Sequence, residues 1–290
     1  MKSLSKVFIF LVGFAITAAV IWQVDYASKS KAQVQIPQVA TAASTKTTTP
    51  IQGILAEQAE IQVPPENENP QELAVPILMY HHVGPLASDA DEITTNLTVD
   101  PEKFEAQLSW LKSQGYQTLT LTQLNQVFFN KRQLPAKPVI LTFDDGYADN
   151  YQYAFPLLKK YQMSAVIFVI TDMRDGWYTS WAELREMAAA GIEIDSHTAS
   201  HVDLSQLSGA ELTAQLRNSK EVLQKELGIK SLFLSYPAGK FNDSVIDEAR
   251  RQGYLGAVTT QSGSIVRSQR IFEIPRLRVN RDTYIEGLLQ

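Results

Sequence analysis

The sequence of 290 residues contains no cysteine and only four histidines. The absence of cysteine excludes disulfide bonds, thiolate metal sites, thiol nucleophiles and lipids attached to cysteine. Charged residues make up 20% of the chain and the net charge is −5, so we do not expect the basic face of a nucleic-acid-binding protein. Because histidine is scarce, the positions of the four histidines are informative about the chemistry.

The first 24 residues have the pattern of an export segment. Lys2 and Lys6 precede an uncharged apolar run at 7–22, which predicts a signal peptide or an N-terminal membrane anchor. We favour the uncleaved anchor because no clean cleavage site stands out, although Ala18, Ala19 and Ala27 are candidate small residues for a cleaved signal. In both cases we expect the rest of the chain to be exported, either membrane-anchored on the extracytoplasmic side or secreted.

Residues 25–72 form a predicted flexible linker. No aromatic residue occurs between 27 and 79, and the segment is rich in alanine, threonine, glutamine and proline. Such a composition buries too little apolar surface to offset the conformational entropy of the chain. We therefore expect one folded domain at 73–290.

Strand-like and helix-like segments alternate through this domain. Predicted strands lie at 75–80, 117–121, 138–143, 164–170, 192–195, 231–236, 255–260 and 271–279, and predicted helices at 101–114, 122–130, 151–161, 181–190, 212–227 and 244–252. This alternation predicts an α/β fold with a mostly parallel sheet, and the number of units favours a barrel. In such a barrel, functional residues gather at the C-terminal ends of the strands.

Two adjacent carboxylates end the strand at 138–143. Asp144 and Asp145 occur in the string TFDDGY at 142–147, where Gly146 permits a tight turn. Neighbouring side chains that leave a strand point in different directions, so one can bind a metal while the other faces a substrate. The alternative is an ordinary acidic turn, since Asp-Gly is common in turns.

The histidines end two other predicted strands. His197 and His201, in SHTASH at 196–201, can face one point from a helical turn and would suit zinc or a similar divalent ion. Two surface or core histidines are the alternative for this pair. His81 and His82 end the first strand, and because a strand alternates faces, at most one of them is expected to enter a site. A fourth cluster, SYPAG at 235–239, could present backbone N–H groups or be a simple turn.

The strings TFDDG and SHTASH, about fifty residues apart, resemble the first two motifs of the polysaccharide deacetylases, also called the NodB-homology or carbohydrate esterase family 4 group. The resemblance covers roughly 76–279 and implies a distorted (β/α) barrel of about seven parallel strands. It also implies one divalent metal ion and hydrolysis of N-acetyl groups on sugar polymers.

The resemblance assigns roles residue by residue. Asp145, His197 and His201 match the metal ligands, for which we favour Zn²⁺ while Co²⁺, Ni²⁺ or Mn²⁺ could occupy the same set. Asp144 matches the general base that takes a proton as metal-bound water attacks the acetamide carbonyl. The third family motif matches 237–239, with the Ala238 N–H as the expected oxyanion donor, and Tyr236, Pro237 and Ala238 are the expected substrate and oxyanion residues.

Two departures from the commoner family pattern concern the acid and an arginine. There is no histidine after His201, whereas many members carry a late histidine as the acid. The chain is more similar to the subgroup that acts on poly-N-acetylglucosamine, in which an early histidine follows a tyrosine, so we expect His81 to be the acid. Ser235 stands where many members have an arginine that orients the base, and we expect Arg276, in preference to Arg278, to replace it.

The expected function is therefore a metal-dependent N-deacetylase acting on an extracellular or cell-wall polysaccharide, with an N-acetylglucosamine polymer favoured. The alternatives are a catalytically inactive glycan-binding protein of the same fold, an O-deacetylase acting on xylan, and a wall peptidase or amidase. The expected partners are an acetylated polysaccharide and, through the N-terminal segment, a membrane.

Tyr147, Trp177 and Tyr178 follow strand ends and are candidates for a sugar platform or for packing.

Overall fold

The computed structural model describes residues 71–289 apart from 130 and 174, and these residues belong to one compact unit. The predicted membrane segment at 1–24 and residues 25–70 of the predicted linker lie outside the described residues. The first strand begins at Glu72, one residue ahead of the predicted start of the domain. In the part of the chain that is described, no helix combines the length and the apolar character needed to cross a membrane.

The elements alternate as the sequence predicts. The strands are β1 (Glu72–Ala74), β2 (Ile77–Tyr80), β3 (His82–Val83), β4 (Thr98–Val99), β5 (Gln117–Thr118), β6 (Pro138–Phe143), β7 (Val166–Val169), β8 (Glu193–Ser196), β9 (Phe233–Ser235), β10 (Gly256–Val258), β11 (Ile265–Arg267) and β12 (Leu277–Arg278). The helices are α1 (Glu92–Leu97), α2 (Pro101–Ser113), α3 (Leu121–Phe128), α4 (Phe155–Tyr161), α5 (Trp181–Ala189), α6 (Gly209–Leu227), α7 (Asp243–Arg251) and α8 (Ile285–Leu288). A π-helical turn, Asn150–Ala154, leads directly into α4.

A parallel sheet forms the centre of the domain. Within the described residues its strands follow the order β10-β9-β8-β7-β6-β2-β12, and β5 pairs with the first residues of β6. The segment that contains β12 joins the two ends of this sheet, because Ile274 pairs with Val258 of β10 while Leu277 and Arg278 pair with β2. The prediction of a distorted barrel of about seven parallel strands is confirmed.

The short outer strands were not predicted from the sequence. β1 pairs antiparallel with β11, and β3 pairs with β4, outside the main sheet. The strand expected at 271–279 is wrong in extent, because only Leu277 and Arg278 form a strand there. The segment changes its pairing partner between Ile274, which pairs with Val258 of β10, and Leu277, which pairs with β2, so no continuous ladder runs through it.

Strand β6 is buried on both faces, as expected for the centre of a covered parallel sheet. Val139, Leu141 and Phe143 pack in one apolar cluster with α2 and α5, whereas Ile140 packs in a second cluster with Phe168 of β7. Since a strand alternates faces, Asp144 leaves β6 on the same side as Ile140. The fold thus directs this carboxylate inward at the C-terminal end of the barrel.

Candidate active site

A left-handed turn after β6 separates the two neighbouring carboxylates. The Asp144 N–H donates to the Tyr80 carbonyl at 3.0 Å, which continues the pairing of β6 with β2. Asp145 and Gly146 then both have positive φ, 71° and 73°, a conformation that costs a residue with a side chain more than it costs glycine. The left-handed backbone conformation of Asp145 turns its carboxylate away from that of Asp144.

Asp145, His197 and His201 converge on one point. Asp145 Oδ1 lies 3.3 Å from His197 Nε2 and 3.4 Å from His201 Nε2, and the three ligand atoms lie within 4.8 Å of one another. His197 Nδ1 lies 2.8 Å from the Ser235 carbonyl, which can only accept, so Nδ1 carries the proton and Nε2 is left as a lone-pair donor. Asp145 Oδ1 is buried with no hydrogen-bond partner in the described chain.

This donor set fits a divalent cation. One carboxylate oxygen and two imidazole nitrogens are the ligands of open zinc sites and suit related transition metals. Burial lowers the pKa of His197, but the close approach of the Asp145 carboxylate and the charge of Asp144 outweigh this effect and raise the pKa. Burial and the charge of His197 lower the pKa of His201. A cation at this point would satisfy the facing lone pairs in place of a proton.

The two histidines are presented by an irregular turn and not by the helical turn that the sequence suggests. Thr198 and His201 have positive φ values of 68° and 57°. The Thr198 N–H donates to Ser196 Oγ and the His201 N–H donates to Thr198 Oγ1, each at 3.1 Å. These side-chain hydrogen bonds stabilise a turn whose backbone would otherwise be unfavourable.

Asp144 is held by Arg276. Arg276 Nη1 donates to Asp144 Oδ1 at 2.8 Å and Nη2 donates to Oδ2 at 2.7 Å. Burial would raise the pKa of Asp144, but the Arg276 guanidinium overrides this effect and holds the pKa well below its usual range. Of the two arginines considered from the sequence, Arg276 therefore makes the contact, while Arg278 is exposed and makes no hydrogen bond to Asp144.

His81 and His82 face different surroundings, as expected for neighbours at a strand end. His81 Nδ1 is buried and has no hydrogen-bond partner among the described residues, and burial lowers the pKa of His81 to about 4, although Asp144 and Asp145 oppose this. His82 Nδ1 lies 2.6 Å from Asp149 Oδ2, and its ring stacks on Tyr147 with 3.7 Å between centroids. His81 is therefore the histidine of this pair that interacts with the two site carboxylates.

The turn after β9 contains the residues expected to bind the oxyanion. The Tyr236 N–H donates to the Val258 carbonyl and its hydroxyl donates to the Phe272 carbonyl, so both hydrogen-bond donors of Tyr236 serve the fold. Pro237 has no N–H, and Ala238 has the positive φ of 51°. Backbone hydrogen bonds in this turn form through Tyr236, Gly239 and Lys240. None of these bonds uses the Ala238 N–H.

An aromatic wall borders the site, formed by His82, Tyr147 and Tyr178. The Tyr147 and Tyr178 rings stack at 5.5 Å, and the two residues form an antiparallel bridge. Burial, together with the charge of Asp145, raises the pKa of Tyr147, which keeps its hydroxyl protonated. Trp177 belongs to the same loop, but its side chain is 70% exposed.

Two residues that connect the site were not predicted in these roles. Ser235 donates from its hydroxyl to Asp144 Oδ2 at 3.3 Å and accepts from Arg276 Nη2 at 3.2 Å, while its carbonyl holds His197. Thr142 Oγ1 accepts from Arg276 Nη1 at 3.0 Å. Position Ser235 was noted only as a departure from the family pattern, and the inward alternation of β6 is the signal that would have identified Thr142.

The chain is similar in sequence and in fold to several known proteins. The sequence model of the polysaccharide deacetylase family matches residues 131–257. YxkH of Bacillus subtilis (strain 168), whose name assigns it to the polysaccharide deacetylases, is 35% identical over 216 residues, which are 74% of each chain. The structure of the Streptococcus pyogenes deacetylase PplD in complex with acetate is similar, with a TM-score of 0.70 and 32% identity over 77% of this chain and 98% of that one.

A more distant relative has a more specific name. The poly-beta-1,6-N-acetyl-D-glucosamine N-deacetylase of Staphylococcus aureus (strain N315) is 27% identical over 205 residues, covering 65% of this chain and 70% of that protein. Together these matches show that the chain belongs to the polysaccharide deacetylase family and is a deacetylase. Members of this family use a divalent metal ion.

Proposed function

We propose that this protein is an exported, metal-dependent N-deacetylase of an N-acetylglucosamine polymer. The observation that carries the proposal is the position of three ligand atoms, from Asp145, His197 and His201, beside a carboxylate fixed by Arg276. The name of the Staphylococcus aureus relative supports a β-1,6-linked polymer as the substrate. The N-terminal sequence pattern supports export and a membrane anchor.

Asp145, His197 and His201 would hold the ion, with Zn²⁺ favoured. When bound, such an ion polarises an acetyl carbonyl and lowers the pKa of water. Asp144 is ionised throughout the working range of pH because Arg276 holds its pKa low, so it is always able to accept a proton. A carboxylate of such low pKa is a weak base, and it therefore depends on a water whose acidity has been increased.

The amide must lose its nitrogen as an amine, which requires a proton. His81 is the acid that we propose, but with a pKa of about 4 it is neutral in the free protein at pH 7. The proton that Asp144 removes from water is therefore the one that must reach the nitrogen, with His81 as its carrier. The Ala238 N–H would donate to the oxygen of the acetyl group as negative charge develops on it.

The experiment is acetate release from a β-1,6-linked N-acetylglucosamine oligomer by the full chain, first stripped of metal and then supplied with Zn²⁺ or Co²⁺. We expect release that depends on the metal and disappears in Asp144→Asn, while Asp144→Asn still binds the ion. The matched control is Asp247→Asn, an exposed carboxylate of α7. His201→Ala should lose metal and activity together.

Other outcomes would identify the alternatives. Acetate release from acetylated xylan alone would show an O-deacetylase. Glycan affinity that a chelator does not change, without acetate release from any glycan, would show a binding protein. Cleavage of a peptide or glycan–peptide bond would show a wall peptidase or amidase.

A further inference from the structure

Strands β8 and β9 are neighbours in the sheet but share very little backbone pairing. Their register consists of one residue pair, Ser196 with Leu234. On the other side of β8, the pairing with β7 extends over four residue pairs, from Glu193 to Ser196. The position of β9 relative to β8 therefore depends on contacts other than the backbone ladder.

The side chain of Asp195 supplies these contacts. Its Oδ1 accepts from Ser231 Oγ at 2.9 Å, from the Leu232 N–H at 2.7 Å and from the Phe233 N–H at 3.1 Å. Asp195 is almost completely buried, and backbone donors in such surroundings are costly to leave unpaired. One carboxylate oxygen thus replaces the ladder bonds that β8 and β9 lack at the start of β9.

The other end of β9 is part of the active site. Ser235, two residues after Phe233, holds His197 Nδ1 through its carbonyl at 2.8 Å. Its hydroxyl bonds to both Asp144 and Arg276, and the turn with Ala238 follows directly. A shift of β9 along β8 would displace the partner of a metal ligand, the partner of the base and the oxyanion donor at once.

We propose that Asp195 is a positioning residue of the active site, which sets the register of β9 and thereby the orientation of His197 and Asp144. The proposal rests on the proposed metal site, because His197 is one of its ligands. Asp195 contacts neither the reacting atoms nor the ion, and it acts through Ser235.

The test compares two substitutions in the full chain. Asp195→Asn keeps an acceptor oxygen for the three donors, so the register of β9 is retained. Asp195→Ala removes the acceptor and leaves two backbone N–H groups unpaired. We expect Asp195→Asn to stay within about 3-fold of the wild type in kcat and in metal affinity, and Asp195→Ala to lose roughly 10-fold or more in both, with little change in KM.

A spectroscopic measurement separates positioning from general destabilisation. With only four histidines in the chain, the His197 ring can be assigned in ¹⁵N-labelled protein by NMR. We expect the Nδ1–H signal of His197 to be unchanged in Asp195→Asn and shifted or exchange-broadened in Asp195→Ala. The control is Leu223→Ala, which removes a buried side chain of α6 and destabilises the fold without touching β9.

Three outcomes would overturn the proposal. In the first, Asp195→Ala keeps the native His197 signal and the native metal affinity. In the second, Asp195→Asn loses as much kcat and metal affinity as Asp195→Ala. In the third, Leu223→Ala shows the same changes in the His197 signal and in metal affinity as Asp195→Ala. If the wild type binds no divalent ion, the proposed function fails, but the His197 signal still decides the role of Asp195.

Discussion

Arg276 and Asp144 form a bidentate pair deep in the barrel, with Nη–Oδ distances of 2.8 and 2.7 Å and exposed fractions of 1% and 3%. The arginine comes from the segment that closes the barrel, whereas Asp144 ends the central strand β6. Arg276 Nε also donates to the Thr259 carbonyl at 2.9 Å, so the guanidinium is held on both sides. The closure of the barrel and the orientation of Asp144 therefore both depend on the side chain of Arg276.

Removing this guanidinium should change the pH dependence of the reaction. In Arg276→Leu, burial loses its strongest opposition, so the pKa of Asp144 rises and the base becomes protonated at a higher pH than in the wild type. We expect kcat/KM to fall on the acid side at a higher pH than in the wild type, and stability to decrease by roughly 3–5 kcal/mol because a buried pair is broken. Arg278→Leu is the control, and an equal shift in that variant would contradict the assignment.

Moving the arginine should restore part of the lost activity. Ser235 Oγ already lies 3.2 Å from Arg276 Nη2 and 3.3 Å from Asp144 Oδ2, so the two positions reach the same carboxylate. We expect the double variant Ser235→Arg/Arg276→Ser to recover about 10-fold or more of the kcat lost in Arg276→Ser. Acetate release measures this recovery. A double variant no better than Arg276→Ser would show that the direction of approach matters as much as the charge.

The sequence predicted the barrel and grouped most of the site because the relevant signals are local. Asp145, His197 and His201 follow strands, and parallel strands bring their C-terminal ends to one edge. The pairs β1–β11 and β3–β4 were missed because strands of two or three residues show no periodicity. The strand expected at 271–279 is shorter because the segment changes its pairing partner from β10 to β2. The sequence does not show where that change occurs.

The connections within the site could not be read from the sequence. Arg276 and Arg278 both lie at the end of one segment, and the choice between them depends on which one faces inward. Asp195 is one of three polar residues in the four-residue strand β8, and only the short β8–β9 register shows what its carboxylate does. Such roles arise from contacts between residues distant in the chain, for which no local pattern exists.

The low pKa of His81 predicts the shape of the alkaline side of the pH profile of kcat/KM. A histidine acid of ordinary pKa would lose activity as the pH rises through 6.5, whereas one with a pKa of about 4 is already deprotonated there, with roughly 0.1% protonated at pH 7. We therefore expect no fall in kcat/KM between pH 6 and 8 that is assignable to His81. A fall centred near 6.5 that disappears in His81→Gln would contradict this.

The same variant tests the proton delivery itself. His81→Gln should slow amide hydrolysis strongly and slow hydrolysis of an activated aryl acetate much less, since the aryloxide leaves without a proton. His82→Gln is the control, because His82 bonds to Asp149 and stacks on Tyr147. Equal losses on the two substrates would exclude His81 as the carrier.

Trp177 should affect long substrates more than short ones. Its backbone is fixed beside the site, since its carbonyl accepts from the Ala148 N–H at 2.9 Å, while its side chain is 70% exposed. A flat indole can pack against a sugar ring next to the one being deacetylated. We expect Trp177→Ala to raise KM by roughly 3- to 10-fold for a pentamer and little for a monomer. Tyr284→Ala, at an equally exposed aromatic, should change neither.

Gly239 follows Ala238 in the turn after β9, and a side chain at this position should reduce both stability and activity. It has a φ of 68°, and a Cβ there would collide with the side chain of Thr260, whereas Gly228, at the end of α6 with a φ of 72°, faces open space. Both Gly→Ala changes carry the backbone cost of about 1 kcal/mol, so Gly228→Ala measures that cost alone. We expect Gly239→Ala to be less stable still in thermal unfolding and to lose kcat through displacement of Ala238. Equal effects of the two changes on both quantities would show that the turn yields to the collision without moving the Ala238 N–H.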